Sequence, residues 1–252
     1  MLSPRKFYIV SSHILHLFFV LTITIAILQL SVFFTTMYLH RSLTHRGVEF
    51  HPWLAFLMHL HVMLFTGISP REWVAVHRKH HHFSDKDGDP HSPYLFGMWN
   101  VLFGNVLYYR RESKNPATIQ KYTPDYRVLI LDKIPKLNFG GLGGLGVFLL
   151  IFGVAWGAAA WAFHAVAYIL LNSTINSVCH MVGYRNYDNR ATNLTWVAWL
   201  TGGEGLHNNH HEFPASARFA QKKFEVDPAW PVIRLLEVLK LASIKKESLA
   251  EN

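Results

Sequence analysis

The chain has 252 residues, half of them apolar or aromatic, with one cysteine and a formal net charge of +8. A single cysteine excludes an internal disulfide and a cysteine-ligated metal cluster. The length fits one domain, and the charge suits an anionic membrane surface or an acidic protein; without a nucleic-acid-binding motif, no nucleic-acid partner is expected.

The first predicted element is an apolar run over residues 7–39, which carries no Lys, Arg, Asp or Glu. A membrane span needs about 20 apolar residues, so the run predicts one long span, and it is too long for a signal peptide. Of the 24 Lys and Arg residues, only Arg5 and Lys6 precede it, and the other 22 lie around the later histidine clusters and in the tail. Because basic loops stay cytoplasmic, we expect the segments after this span to face the cytoplasm.

Two histidine clusters flank the next uncharged run. "HRSLTH" at 40–45 ends the first span, residues 50–69 follow, and "HRKHHHF" occupies 77–83. If residues 50–69 crossed the membrane, the two clusters would lie on opposite sides of it. The run also places histidines among Trp and Phe, as interfacial helices do. We therefore expect an interfacial or re-entrant helix at 51–68, followed by a cytoplasmic cap over 70–138.

The last uncharged run, residues 139–184, is long enough for two spans, at 140–156 and 160–180, with "WGAAAW" at 156–161 as the turn. Two crossings return the chain to the side of the earlier clusters, where "HNNHHEF" at 207–213 repeats their His-x-x-His-His spacing. Residues 183–252 complete the cap. The sequence thus predicts one all-α domain over 1–252, an integral membrane helical bundle with three spans and a cytoplasmic helical cap, in a bacterial inner membrane.

The spacing of the histidines indicates a metal centre. Positions i, i+3 and i+4 of a helix share a face, so the three histidines of each later cluster should converge. His40 and His45 are rotated by roughly 140° on an ideal helix, and would reach two neighbouring metals, or one across an unwound turn. With His180, at the end of the last apolar run, the candidates number nine, which suits two ions. They are His40, His45, His77, His80, His81, His180, His207, His210 and His211.

The ligand type narrows the metal. Imidazole suits zinc, copper, iron and nickel, whereas a closed structural zinc site uses four ligands that are often cysteines. An iron pair that binds O2 needs open positions and ligands that survive oxidation, which favours imidazole over thiolate. Carboxylates should hold the remaining ring nitrogens, unless they only form a solvated turn or begin a helix. The carboxylate candidates are Asp85, Asp89, Asp188 and Glu204.

The order of "HRSLTH", "HRKHHHFSDKDGDPHSP", "NSVCHMVGYRNYDN" and "GEGLHNNHHEFPASARF" resembles the membrane-bound fatty acid desaturases of the acyl-CoA and acyl-lipid Δ9 type, over about residues 38–241. The resemblance implies that the nine histidines bind two non-haem irons, that Asn176 holds one iron through a water, and that O2 is a co-substrate. It also implies a cis double bond, at Δ9, in a saturated acyl chain carried on CoA or a lipid. The "HPGG" of cytochrome b5 is absent, so a separate ferredoxin-like or cytochrome b5-like donor with its reductase is expected.

Two other functions are compatible with the histidine clusters, and histidines outside the clusters have a purely structural interpretation. A hydroxylase of the same histidine-box group would share the irons but leave oxygen on the substrate carbon. A divalent-metal transporter would place its ligands near the bilayer midplane, whereas these clusters lie at the ends of apolar runs. The other histidines are expected to pack between helices or lie at the interface: His13, His16, His51, His59, His61, His82, His91 and His164.

Overall fold

The computed structural model describes residues 4–134 and 141–247, with side chains from residue 13 onward. Residues 135–140 and 248–252, which belong to the expected cap and the start of the expected second span, lie outside the described part. The first elements are α1 (Pro4–Phe34), a π-helical segment (Thr35–Thr44), β1 (Val48–Phe50), α2 (Pro52–Thr66), α3 (Pro70–Phe83), α4 (Pro93–Phe96), α5 (Met98–Ser113) and α6 (Pro116–Tyr122). The later ones are a 3₁₀ turn (Ile130–Lys133), α7 (Leu142–Phe152), α8 (Val154–Met181), α9 (Thr195–Leu200), α10 (His207–Glu212), α11 (Ala229–Val238) and β2 (Ala242–Ile244). The described chain is therefore mostly helical, with one small antiparallel sheet that the all-α expectation lacked.

The first apolar run forms one continuous helix, α1 with the π-helical segment, as expected. Its candidate span, His13–Thr44, has 32 residues. At about 1.5 Å per residue it is about 48 Å long, whereas the hydrocarbon core of a bilayer is about 30 Å thick. This helix is therefore longer than the hydrocarbon core of an ordinary bilayer, and His40 lies in its last two turns.

The second candidate span is α8, with 28 residues, and it runs parallel to α1. Contacts between the two helices advance together along the chain, from His16 with Trp156 to Thr35 with Tyr168. His40 and His180 therefore come to the same end of the bundle.

The turn expected at 156–161 is wrong, because these residues lie inside α8 and the chain breaks at Gly153 instead. α7, before the break, has 11 residues and is about 16 Å long, which is short of a full span. Among the described residues, two helices rather than three have the length and composition of a span, or three if the bent pair α2–α3 counts as one.

α2 and α3 form a pair of helices bent by 86°. Gly67 ends α2 with a left-handed backbone (φ 66°), which lets the chain turn by nearly a right angle into α3. Both arms contact the same end of the first span: the Tyr38 hydroxyl lies 3.0 Å from Nδ1 of His59 on α2, and the Trp73 ring on α3 lies 5.9 Å from that of His40. The bend between α2 and α3 thus brings the first two histidine clusters together.

The C-terminal segment closes over the π-helical segment. β1 pairs antiparallel with β2, and a buried apolar core joins the π-helical segment, α2 and α11 through residues such as Met37, Met58 and Ile233. A buried ion pair between Arg41 and Asp227 adds a polar tie, with a nitrogen–oxygen distance of 2.9 Å. The residues that follow the last histidine cluster therefore fix the helix that carries the first.

Candidate metal centre

Nine histidines gather where the π-helical segment, α3, α8 and α10 meet. They divide into two groups, and within each group one nitrogen of every ring lies within 4.8 Å of the others. We call these the five-histidine group and the four-histidine group. The first comprises His40, His45, His77, His81 and His210, and the second His80, His180, His207 and His211.

The Nε2 atoms of the rings point at one another. In the five-histidine group, Nε2 of His210 lies 3.0 Å from that of His40 and 2.9 Å from that of His81. In the four-histidine group, Nε2 of His207 lies 3.0 Å from that of His180 and 3.1 Å from that of His211. A neutral imidazole has one proton, so these mutual contacts cannot all be hydrogen bonds. Two nitrogens bound at right angles to one ion, each at about 2.1 Å, would lie about 3.0 Å apart, so the donor sets fit metal ions.

Each later cluster serves both groups, contrary to the expectation that its three histidines converge. At about 100° per residue, position i+4 is rotated by about 40° from i, and position i+3 by about 60° in the opposite direction. The i and i+4 rings therefore stay together, and the i+3 ring faces the other group. His77 and His81 of α3 belong to the five-histidine group while His80 leaves it, and in α10 it is His210 that leaves the four-histidine group.

The π-helical segment brings His40 and His45 to one group. The backbone N–H of His45 donates to the carbonyl of His40 at 3.1 Å, the i to i+5 bond of a widened turn. The two rings consequently lie with centroids 4.9 Å apart. The sequence left open whether His40 and His45 reach two metals or one metal across an unwound turn. In the structure both belong to the same group, across a widened turn.

Three of the four candidate carboxylates contact the histidines through Nδ1. Glu204 lies 2.7 Å from Nδ1 of His40, Asp89 lies 2.9 Å from that of His80, and Asp85 lies 2.7 Å from that of His180. A carboxylate that accepts the Nδ1 proton leaves the Nε2 lone pair free for a metal. All three are buried.

The charge of Asp85 is maintained inside the protein. Burial raises the pKa of its carboxyl, but the hydrogen bonds from His180 and from the Ser92 hydroxyl, at 2.8 Å, outweigh burial and place the pKa below its ordinary value. Asp85 is therefore a carboxylate at neutral pH, as its contact with the His180 ring requires.

The fourth candidate, Asp188, does not belong to this arrangement. Its side chain is exposed, and none of the described hydrogen bonds or ion pairs joins it to a histidine. Asn176 is half-buried one turn before His180 and lines the cavity described below. His82, set aside as the spare histidine of its cluster, is exposed.

His91 was expected to pack between helices or lie at the membrane interface, yet it lies beside the four-histidine group. Its ring is 4.7 Å from that of His80, and it forms a third close set with His80 and Asp89. Within the described part of the chain, neither of its ring nitrogens has a hydrogen-bond partner. Burial lowers its pKa to about 3, so the ring is neutral. The sequence feature that could have indicated this place is that His91 follows the carboxylate candidate Asp89 by two residues.

The two asparagines of "HNNHHEF" hold the short α10 in place. Oδ1 of Asn208 accepts the backbone N–H of Asn186 at 2.7 Å, and Nδ2 of Asn209 donates to Glu225 at 2.8 Å. A helix of six residues is not stable by itself, so these hydrogen bonds position its histidines. Sequence reasoning missed this role.

A cavity of about 520 Å³ adjoins the five-histidine group. Its volume lies within the range of small-molecule sites. His40 and His77 line it together with Asn176, and α3, α5 and α8 supply most of its remaining wall. A molecule in the cavity would therefore lie directly beside the histidine cluster.

Comparison with known proteins agrees with this geometry. The sequence model of the fatty acid desaturases matches residues 14–231. The chain is 36% identical to the sn-1 stearoyl-lipid 9-desaturase of Anabaena variabilis, over 82% of this chain and 76% of that protein. It is 32% identical to the Delta-9 acyl-lipid desaturase 2 of Arabidopsis thaliana (81% and 67%) and 35% identical to the Acyl-CoA 5-desaturase AL21 of Anemone leveillei (84% and 67%). The chain therefore belongs to the fatty acid desaturase family, and it is an oxidoreductase that desaturates a fatty acyl substrate.

Proposed function

We propose that this desaturase uses O2 and two histidine-bound non-haem irons to place a cis double bond, at Δ9, in a saturated acyl chain. One observation carries the proposal: nine buried or half-buried imidazoles divide into groups of five and four, with converging Nε2 atoms, beside a cavity. Each group would hold one iron, and Asn176 would complete the four-histidine group through a water.

The bound irons would supply the reduction of O2 and the removal of hydrogen from two neighbouring methylenes. The protein's own residues prepare the ligands for this role. Because Asp85, Asp89 and Glu204 accept the Nδ1 protons, the rings that they contact present unprotonated Nε2 atoms and keep a fixed orientation. The buried carboxylates also offset the positive charge of metal ions inside the protein.

The cavity would fix which carbons react. Placement of a substrate within reach of the reacting group is a large part of catalysis, and a flexible acyl chain has many equivalent methylenes to choose from. The cavity wall includes His40, His77 and the stacked Trp73, whose ring lies 4.7 Å from that of His77. The Δ9 position is supported by the relatives named 9-desaturases, and the 5-desaturase among the relatives makes it a point to test.

Electrons would come from a separate ferredoxin-like or cytochrome b5-like protein with its reductase. The net charge of +8 supports an acidic partner on the histidine-bearing side, and the basic segments around the clusters support a cytoplasmic orientation of that side. The proposed location is a bacterial inner membrane. The metal-transporter hypothesis loses its basis, because the family is one of oxidoreductases.

The proposal is tested by gas chromatography of fatty acids from a desaturase-deficient host that expresses the chain. A new Δ9 cis-unsaturated acid is expected, and His77→Ala and His210→Ala should abolish it. His82→Ala, at the exposed spare histidine, is the matched control and should retain the product. A hydroxylated acid would instead favour the hydroxylase. Metal analysis of the purified protein should give two irons per chain; zinc alone would contradict the metal assignment.

A further inference from the structure

We propose, on the basis of the function proposed above, that the substrate is an acyl chain of a membrane glycerolipid, which enters the cavity sideways through the seam between α5 and α8. The alternative carrier, acyl-CoA, would approach from water. The two carriers differ in where the cavity must open, and the side chains around its opening discriminate between them.

The proposed opening lies at apolar side chains that line the cavity and are more than a third exposed. Val106 of α5 is 37% exposed and Ile169 of α8 is 38% exposed, and both line the cavity. Two neighbours on the same helices line it from buried positions: Asn105, directly before Val106, and Ser173, one turn after Ile169. The passage from the outside to the interior therefore runs between two apolar side chains, one from each helix.

Both helices that flank the seam present apolar surface to their surroundings. α8 is a candidate membrane span, and its Phe163 remains 49% exposed. On α5, Trp99, Phe103 and Leu107 are spaced four residues apart and are 63%, 72% and 71% exposed. A stripe of this size is unfavourable in water and is typical of a helix lying in a lipid interface. The seam consequently opens towards lipid.

The charge along α5 matches the polarity of a phospholipid. After the apolar stripe, the next turns carry Arg110 and Lys114, which are exposed and line the cavity. Cations at this rim suit a phosphate of either carrier, so they do not discriminate by themselves. The two carriers are distinguished by the apolar seam that lies beside this cationic rim. Such a seam lets the acyl chain of a lipid enter while the lipid headgroup stays at the interface.

The test uses the iron-loaded full chain in vesicles. NADPH is supplied together with a ferredoxin and a cytochrome b5, each with its reductase, as electron donors. In one arm the vesicles contain 1-stearoyl-2-oleoyl phosphatidylglycerol. In the other they contain dioleoyl phosphatidylglycerol, and stearoyl-CoA is added from water. Mass spectrometry of intact lipids and of CoA esters follows the new double bond. We expect product in the lipid arm and loss of at least about tenfold in rate in the CoA arm.

Variants at the seam complete the test. Ile169→Trp fills the opening and should lower the rate in the lipid arm by at least about tenfold, since misplacement of a substrate by about 1 Å has such effects. Val166→Trp, on the same helix and 58% exposed but outside the cavity wall, should retain the wild-type rate. Two irons per chain and an unchanged melting temperature show that each variant is folded. If Ile169→Trp does not fold, Val106→Trp on the opposite wall of the seam replaces it.

The outcomes separate this route from the proposed function. Equal or faster product formation from stearoyl-CoA, or full activity of a folded Ile169→Trp in the lipid arm, overturns entry from the membrane while the desaturase remains. No unsaturated product in either arm from the iron-loaded wild type overturns the proposed function and the route with it.

Discussion

Replacing Arg41 by methionine should destabilise the protein more than any exposed substitution. Arg41 is fully buried next to His40, and its guanidinium donates to both oxygens of Asp227 at 2.9 and 3.0 Å. It also donates to the carbonyls of Ala217 and Gly202, at 2.9 and 3.0 Å. Methionine fills a similar volume but leaves the buried carboxylate with no cationic partner.

The size of the effect follows from the unpaired charge. Removing one partner of a buried ion pair costs about 3–5 kcal/mol. In a chain of this length each kcal/mol lowers the melting temperature by about 2–4 °C, so a fall of about 6–20 °C is expected. Because the ion pair fixes the segment that carries His40, the variant should also lose iron from the five-histidine group.

Thermal unfolding of the detergent-solubilised protein measures the effect, and metal analysis follows the iron. Lys245→Ala is the control, because Lys245 and Glu49 form an exposed pair at 2.7 Å that is worth about 1 kcal/mol or less. The double variant Arg41→Met/Asp227→Asn removes the unpaired charge and should recover part of the loss. A melting temperature no lower than that of Lys245→Ala, or a double variant as unstable as the sum of the single ones, would refute the reasoning.

Three further predictions concern the carboxylates, the metal and a glycine. Asp85→Asn should weaken iron binding by about 10–100-fold in a chelator competition, because His180 loses its orienting carboxylate; unchanged affinity would assign Asp85 to folding alone. Removing iron with a chelator should lower the melting temperature, and iron should restore it, since the ion binds only the folded chain; identical melting curves would contradict this. Gly203→Ala should destabilise the chain in the same unfolding assay, since Gly203 has a φ of +102° and a Cβ there would collide with the carboxylate of Asp227. Gly146→Ala is the control, because no atom lies within 4 Å of its new Cβ. Equal melting temperatures of the two variants would count against the prediction.

The sequence predicted the members of the cluster better than their arrangement. Helical spacing identified the later histidines. Length identified the first candidate span and most of the second, but it also predicted a span at 140–156, where the structure has only the short α7. The π-helical turn between His40 and His45 has no signature in "HRSLTH", because the i to i+5 bond arises from the packing around it. Helical spacing alone separates the i+3 ring from the i and i+4 rings, but which rings of α3 join which rings of α10 depends on how the two helices are placed relative to each other.

Two wrong expectations have specific physical causes. "WGAAAW" was interpreted as the turn between two spans of the last uncharged run. A Cβ on Gly157 would lie 2.6 Å from the carbonyl oxygen of Phe148, so this glycine instead allows α7 and α8 to approach closely. The turn uses Gly153, which has a left-handed backbone (φ 76°). Asp188 was proposed from its proximity in sequence, whereas Glu204 reaches His40 from 164 residues away.

The division of the histidines into two groups explains why the His-x-x-His-His spacing occurs twice. If each cluster served one ion, rotation of α3 or α10 would disturb one site and leave the other intact. Because each helix gives its i and i+4 rings to one group and its i+3 ring to the other, the two groups share both helices and must form together. A third residue between the paired histidines would rotate the last ring by about 100° and remove it from its group, so the spacing keeps both groups complete, as the proposed pair of ions would need.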